Sequence, residues 1–416
     1  PENFHIDMPE AVRNIIHTIE EHGFKAYAVG GCIRDSILGR NPDDWDITTS
    51  AVPSQIKTFF KRTVDTGIAH GTVTIMIDKT GYEVTTYRID GEYEDGRHPK
   101  SVEFSDRLVD DLCRRDFTIN AMAYNDTDGF VDEFKGLDDL DTKIIRCVGE
   151  PELRFTEDAL RMMRAIRFSA QLGFTIDEAT WNAIKKLSPS ISKISMERVH
   201  VELGKTLMSA HPDYVAQYSE AGLFAPILPV IDNALKSRYK RKILATLQHT
   251  PDNIYLRYAA LFITSTPDEA AKTLRALKLD NKTVNTVSKL VELSKMDIEE
   301  TEPAVRTALN KYGRDFLPLW HELMMAVIQA SEDITGISNP AKVKHLLTLK
   351  RLGTDILARG DCFTIKDLDI SGNDLIEYGL QGHEIGETLK SLLDIVIENP
   401  KLNDKATLIA MIEHIK

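Results

Sequence analysis

Residues 30–48 read GGCIRDSILGRNPDDWDIT, and the reading of this stretch decides the fold. The apolar run ending at Ala28-Val29 predicts a strand over 25–29, and the run behind the glycines predicts a helix over 31–39. Paired glycines, Gly30 and Gly31, allow a tight turn and close backbone approach by an anion. The new helix then points unpaired N–H groups and its positive dipole end at a phosphate, and Arg34, one turn in, adds charge. The same glycines also suit an ordinary strand-to-helix connection with Arg34 in a surface ion pair. Further on, a strand near 45–49 would place Asp44 and Asp46 on one face through its period of two. Two such carboxylates repel unless a cation sits between them. Hard divalent ions shared with substrate phosphates suit that arrangement, Mg²⁺ being the usual occupant, although a solvated acidic turn carries the same residues. In this order, separated by one short helix, the two elements form a triphosphate cradle facing a metal-binding strand.

The chain around this stretch has 416 residues, with 51 basic and 64 acidic side chains, a net charge of −13 and 42% hydrophobic residues. That is the composition of a soluble globular protein rather than a disordered tail. At roughly 100–200 residues per domain the length predicts about two to four units. No run approaches the roughly 18 apolar residues of a membrane span and the first residues do not read as a signal peptide, so a cytoplasmic protein is expected. Cys32, Cys113, Cys147 and Cys362 are far apart with no CxxC spacing, which predicts buried free thiols rather than a disulfide framework or a zinc site. Net acidity argues against non-specific nucleic-acid binding but not against local basic faces.

Strand-like and helix-like patterns mix over residues 1–145, with a helix through 8–22 and further strands near 72–78 and 82–88. Residues 89–100, IDGEYEDGRHPK, read as an exposed mobile loop. From about 146 onward helical periodicity dominates, broken near 188–190, 211–212, 251–252 and 297–303. Two later blocks carry charge in unusual density. One is DLCRRDFTINAMA, residues 111–123, and the other is Glu157-Asp158-Ala159-Leu160-Arg161. On a continuous helix of about 100° per residue, Ala159, Met163, Ile166 and Ala170 cluster on one face, with Glu157, Asp158, Arg161, Arg164 and Arg167 on the opposite half. Arginine offers a planar fork of donors and aspartate only accepts, so Asp158 and Arg161 together can match the Watson–Crick edge of a base. Glu157 and Arg161, four apart, can meet. A solvated ion-pair helix would look the same.

Taken together, the 30–48 stretch, the RRDFTINA block and the EDxxR block resemble the polymerase β nucleotidyltransferase superfamily, specifically its class II tRNA nucleotidyltransferase and poly(A) polymerase branch. The likeness is close over about residues 20–230 and looser beyond. It implies an α/β N-terminal nucleotidyltransferase domain with a polymerase β-like palm, followed by an all-α region of neck, body and tail. The implied boundaries are 1–145 for the catalytic head, 146–210 for neck helices that recognise the base, 211–300 for an RNA-binding body and 301–416 for a tRNA-binding tail. Asp44 and Asp46 would hold two Mg²⁺ ions that activate an RNA 3′-hydroxyl, with Glu83 the candidate third carboxylate. Gly30, Gly31 and Arg34 would hold the triphosphate. Arg115 would reach phosphate while Asp116 or Asn120 reads ribose hydroxyls, or Arg114 and Asp116 would form an internal ion pair. In the family the EDxxR pair acts as a protein template for CTP and then ATP, which implies that role for Asp158 and Arg161, with Glu157 orienting the arginine. Arg164 and Arg167 would add base or phosphate contacts.

The implied activity is addition of C, C and A to the 3′ end of tRNA, without a nucleic-acid template, at the acceptor end. Poly(A) synthesis and an A-adding half of a split pathway are the alternatives. Residues 66–73, TGIAHGTV, resemble the CCA-adding group, and the loop that CC-only members lack corresponds to residues 88–100. There the family's usual RRP is Arg97-His98-Pro99. A catalytically idle RNA-binding relative would be expected to lose a metal-binding carboxylate, and a small-molecule nucleotidyltransferase to lack the EDxxR helix. For RNA contact, Lys236, Arg238, Lys240, Arg241 and Lys242 form a basic run around Tyr239, and Lys342, Lys344, Lys350 and Arg351 form a looser one. The sequence is silent on oligomeric state.

Overall fold

The computed structural model describes residues 5–91 and 102–415, which fall into two compact units divided at Pro229/Val230. The first unit opens with α1 (Glu10–Glu21), whose Val12, Ile15, Ile16 and Ile19 recur at helical spacing and are all buried. It continues through β1 (Ala26–Val29), α2 (Gly31–Ile37), β2 (Ile47–Thr49), α3 (Pro53–Phe59), β3 (Thr63–Gly67), β4 (Thr72–Ile77) and β5 (Thr80–Thr86). An antiparallel pair, β6 (Arg88–Asp90) with β7 (Val102–Phe104), precedes α4 (Leu108–Cys113), β8 (Ala123–Asn125), β9 (Gly129–Val131) and α5 (Gly136–Thr142). Seven of these strands form one mixed sheet in the order β3-β4-β5-β2-β1-β8-β9. Tyr27, Val29, Tyr87, Leu112, Ala121, Ala123 and Val148 pack together as a core around its centre.

Pairing in this sheet places the motifs. β1 runs antiparallel to β2 with Ala28 opposite Ile47, and β2 runs parallel to β5 with Ile47 beside Val84. One residue beyond, Asp46 lies opposite Val29, whose N–H donates to the Asp46 carbonyl at 3.0 Å, and next to Glu83. β1 also pairs with β8, and the Gly30 N–H donates to the Met122 carbonyl at 3.1 Å. The glycine turn, the acidic pair, Glu83 and the segment ending in Asn120 therefore meet at one end of the sheet.

The rest of the first unit is helical apart from a two-residue pairing of β10 (Ile144–Ile145) with β11 (Thr175–Ile176). It comprises α6 (Pro151–Glu157), α7 (Leu160–Leu172), α8 (Glu178–Leu187), α9 (Met196–Leu207) and α10 (Ala216–Glu220). The second unit begins within α11 (Pro229–Lys236) and has no strand among its described residues. It contains α12 (Lys240–His249), α13 (Ile254–Leu261), α14 (Pro267–Ala276), α15 (Asn281–Leu293), α16 (Glu302–Tyr312), α17 (Phe316–Thr335) and α18 (Pro340–Arg359). It closes with α19 (Gly372–Glu377), α20 (His383–Glu398) and α21 (Lys405–Ile415), which gather around Leu375, Leu392, Val396 and Leu408. Among the described residues, no helix is long and apolar enough to cross a membrane. Cys32, Cys147 and Cys362 are buried free thiols, as expected, whereas Cys113 is exposed.

Several expected elements shift. Asp44 and Asp46 precede β2 rather than lying on it, but the alternation survives, because Trp45 between them is buried and both aspartates are exposed. The strand expected over 82–88 starts at Thr80 and ends at Thr86, and residues 89 and 90 belong to β6 rather than to a loop. The remainder of that loop, with Arg97-His98-Pro99, lies outside the described residues.

Gly136 shows how tightly the block around Asn120 is held. A Cβ there would lie 2.3 Å from the Thr118 carbonyl oxygen, and backbone cannot yield as a side-chain tip can. Gly136→Ala is expected to cost about 1–3 kcal/mol of the first unit's stability, read from urea denaturation.

Candidate functional site

Gly30 has φ +86° and ψ −131°, a conformation open to glycine and strained for other residues. A Cβ there would also stand 3.1 Å from Arg115 Nη1. The turn thus brings bare backbone against a guanidinium. Arg115 donates through Nη2 to Asp111 at 3.0 Å, while its buried Nε has no hydrogen-bond partner among the described residues. Asp111 is fully buried and also takes Arg114 at 2.8 Å. Burial opposes its charge, yet the two arginines win and hold its carboxyl below the usual range. The alternative pairing of Arg114 with Asp116 is therefore not found. Arg114 lies three residues from Asp111, within reach along one helical turn, and Asp116 turns the other way.

Beside this turn stand three carboxylates that sense one another. Among the described residues none of Asp44, Asp46 and Glu83 has a side-chain hydrogen bond or ion pair. Desolvation raises the Asp46 pKa, opposed by Arg115 and reinforced by Asp44. Burial, then Asp46 and Asp44, raise that of Glu83. Mutual repulsion that Arg115 offsets only in part fits a site for a hard cation. No three His, Cys, Asp or Glu side chains among the described residues form a ready-made metal cage. The donor set is that of an open site, which oxygens from another molecule would complete.

Asp116 links this end of the sheet to the helices. It accepts from the Phe117 N–H at 2.9 Å, Asn120 Nδ2 at 3.1 Å and Arg164 Nε at 2.7 Å. Asn120 Oδ1 in turn accepts from Arg34 Nη1 at 2.7 Å, and Arg34 also pairs with Asp35 at 2.8 Å. Arg34, Arg164 and Arg167 surround the Phe168 ring, with guanidinium carbons 5.0, 5.3 and 4.1 Å from its centroid. Arg34 is therefore no surface ion pair. It is only 8% exposed and braced on two sides.

The continuous helix expected through the EDxxR block is broken. α6 ends at Glu157, Asp158 is extended at φ −144° and ψ 106°, and α7 begins at Leu160. Asp158 caps the new helix, accepting the Leu160 N–H at 3.0 Å, and that local bond competes with helix continuation. The Glu157–Arg161 contact forms as expected at 2.6 Å, and Glu157 also takes Arg154 at 2.8 Å. Arg161 further donates to the carbonyls of Arg154 and Arg114 at 3.2 and 3.1 Å. The charged half of α7 does not simply face out. Arg167 is 7% exposed, buried in an ion pair with Glu202 at 2.5 Å.

Reading the sequence missed the partners on α9. Arg198 grips Asp158 with both terminal nitrogens, at 3.2 and 2.8 Å, and Glu202 holds Arg167. The available signal was Glu202 itself, a carboxylate among the buried positions Val199, Leu203 and Thr206 of an amphipathic helix. In the second unit the basic run divides. Lys236 pairs with Asp232 at 2.8 Å, Arg238 lies over Tyr239 at 4.8 Å, Lys240 is half-buried, and Arg241 and Lys242 are exposed.

This combination of a mixed sheet, a glycine turn against a guanidinium and carboxylates at the same edge defines a nucleotidyltransferase head. The poly(A) polymerase head domain family matches residues 26–146. The family described as the probable RNA and SrmB binding site of polymerase A matches 173–235, and that described as tRNA nucleotidyltransferase domain 2 matches 255–412. A CCA-adding enzyme of Pediococcus pentosaceus is 34% identical over 96% of both chains. One of Limosilactobacillus fermentum is 37% identical over 96% of this chain and 95% of its own. Among solved structures, the Bacillus stearothermophilus CCA-adding enzyme in complex with CTP is 32% identical, covers 97% of this chain and 96% of its own, and gives a TM-score of 0.75. The chain belongs to the CCA-adding enzyme family.

Asp116 has a measurable signature. Burial works against its charge, but Arg164, Asn120 and Arg161 outweigh it and hold the carboxyl well below the usual carboxylate range. A depressed folded pKa adds stability that is present above the unfolded value of about 3.9 and is lost as pH falls toward the folded one. Asp116→Asn is expected to be less stable at pH 7 by about 2–3 kcal/mol, short of a fully buried pair because Arg164 is partly exposed. The gap to wild type should narrow as urea titrations are repeated from pH 5 down to pH 3.

Proposed function

We propose that this chain adds C, C and A in turn to the 3′ end of tRNA, drawing on CTP and ATP, releasing pyrophosphate and using no nucleic-acid template. The observation that carries the reading is the similarity to CCA-adding enzymes across nearly the whole of both chains. It favours full CCA addition over the A-only and poly(A) alternatives, in agreement with TGIAHGTV at 66–73. The solved relatives include enzymes in complex with CTP, with ATP and with tRNA.

In the proposed reaction the tRNA 3′-hydroxyl oxygen attacks the α-phosphorus, and the bond to the β-phosphate breaks. Gly30 and Gly31 admit the triphosphate to the backbone, and Arg34 and Arg115 offset its charge. Asp44 and Asp46 are proposed to hold Mg²⁺, with Glu83 alongside. When bound, the metal neutralises the triphosphate and lowers the pKa of the attacking hydroxyl. Their lack of side-chain partners supports this assignment. Asp116 and Asn120 are proposed to read the ribose.

Asp158 and Arg161 are proposed to read the base edge, with Glu157 fixing Arg161 from one side. Arg164 lies next to them, and Arg167 is proposed to contribute by holding the arginine cluster in place. The division into head 1–145, neck 146–210, body 211–300 and tail 301–416 belongs to the same proposal, as does RNA contact by Lys236, Arg238, Lys240, Arg241 and Lys242.

The experiment supplies purified protein and Mg²⁺ with tRNA lacking its last three nucleotides, and sizes products at single-nucleotide resolution. CTP alone should add two residues, ATP should then add one, and ATP alone should add none. Long ladders from ATP alone would contradict the proposal, as would addition only to tRNA already ending in CC. Asp44→Ala and Asp46→Ala should each cut addition by roughly a thousandfold or more without unfolding the protein. Arg161→Ala should spoil the choice between C and A more than it weakens tRNA binding.

A further inference from the structure

One lysine from each basic run of the second unit, a hundred residues apart in sequence, lines a cavity of about 610 Å³ among α12, α15, α17 and α18. Its wall is apolar, formed by Met324, Val327, Ile328 and Leu346. Its rim is cationic, with Lys242 from the first run and Lys342 from the second, joined by Lys295 and His345.

The rim charges are not equivalent. Lys295 donates to the Ser265 carbonyl, and His345 takes Glu300 at 2.8 Å and stands 3.5 Å from Asp297. Glu300 is thus engaged, whereas Asp297, which also lines the rim, keeps its side chain 98% exposed. Among the described residues the exposed ammonium groups of Lys242 and Lys342 have no carboxylate partner, although the chain carries a net charge of −13. Ile337, at the same cavity, is left 72% exposed. Unpaired cations beside uncovered apolar surface suit a ligand with a flat apolar ring and a phosphate. The volume falls in the roughly 300–1,000 Å³ range of small-ligand pockets, too small for a duplex.

We propose that this cavity accepts one unstacked nucleotide of the tRNA substrate, its base against Met324 and Val327 and its flanking phosphates on Lys242 and Lys342. The inference rests on the tRNA reading above. Single unstacked bases are what proteins can reach in RNA, whereas the A-form groove offers little to read, and lysines serve well as point-charge phosphate partners.

The test measures binding of tRNA lacking its last three nucleotides, by fluorescence anisotropy at several salt concentrations. Ser331→Trp, at an exposed lining position on α17, fills the cavity, and Ser331→Ala controls for loss of the hydroxyl. Ser331→Trp should weaken binding about tenfold with an unchanged salt slope, while Ser331→Ala should bind as wild type does. The Lys242→Ala, Lys342→Ala double variant should reduce the slope by about one for each lost phosphate contact. Wild-type affinity in Ser331→Trp, or an unchanged slope in the double variant, would overturn the pocket alone. Wild-type protein that failed to bind this tRNA would overturn the substrate reading first, and the pocket with it.

Discussion

The carboxylate of Asp116 is the constraint on which the rest of the site depends. Three guanidinium groups crowd one aromatic ring, and like charges at such separations repel by about a kcal/mol or more unless each is matched. Each is matched by a different acid: Arg34 by Asp35, Arg164 by Asp116 and Arg167 by Glu202. Among the described residues only Asp116 reaches both sides, through Arg164 on α7 and through Asn120 to Arg34 on α2. It couples the sheet that would carry the chemistry to the helix that would choose the base. A base-reading arginine is useful only if it stays where it is when no base is present. Here its neighbours are held by charge-assisted bonds before any nucleotide arrives.

The same logic extends outward. Glu157 holds Arg161 and Arg154 together, and Arg198 holds Asp158 with two bonds. The two residues proposed to read the base are thus fixed by opposite charges from different elements, one by α6 and the other by α9. By contrast, among the described residues Asp44, Asp46 and Glu83 have no side-chain hydrogen bond or ion pair, and Arg115 offsets only part of the crowding at Asp46. The chain satisfies its recognition residues internally and leaves its acidic ones unsatisfied, as expected if the latter await a cation.

Much of this was legible in the sequence because the decisive signals are local. A strand ending in two glycines, a short helix and an alternating acidic triplet need only neighbours to be read, and β1, α2 and the exposed Asp44–Asp46 pair follow the expected order. Short or exposed strands were harder: β3 is mostly solvent-facing and β8 and β9 span three residues each, so neither alternation nor apolar density marks them. The break at Asp158 escaped because the apolar spacing of 159–170 continues through it, while the bond that ends α6 belongs to a side chain. Apart from Glu157 with Arg161, four residues apart, the choice of partner escaped. Nothing near Arg114 says that it takes Asp111 rather than Asp116, and Arg198 and Asp158 are forty residues apart. The first is decided by where α4 ends, one turn beyond Asp111, and the second by which helices pack.

The most direct test of the account is the ratio of C to A incorporated at the first position, under single turnover with saturating tRNA lacking its last three nucleotides, for Asp116→Asn against wild type. If the carboxylate holds the base-reading cluster in place, the ratio should fall about tenfold, equivalent to about 1.4 kcal/mol of lost discrimination, with tRNA affinity unchanged within about twofold. An unchanged ratio in a variant that is merely less stable would contradict it.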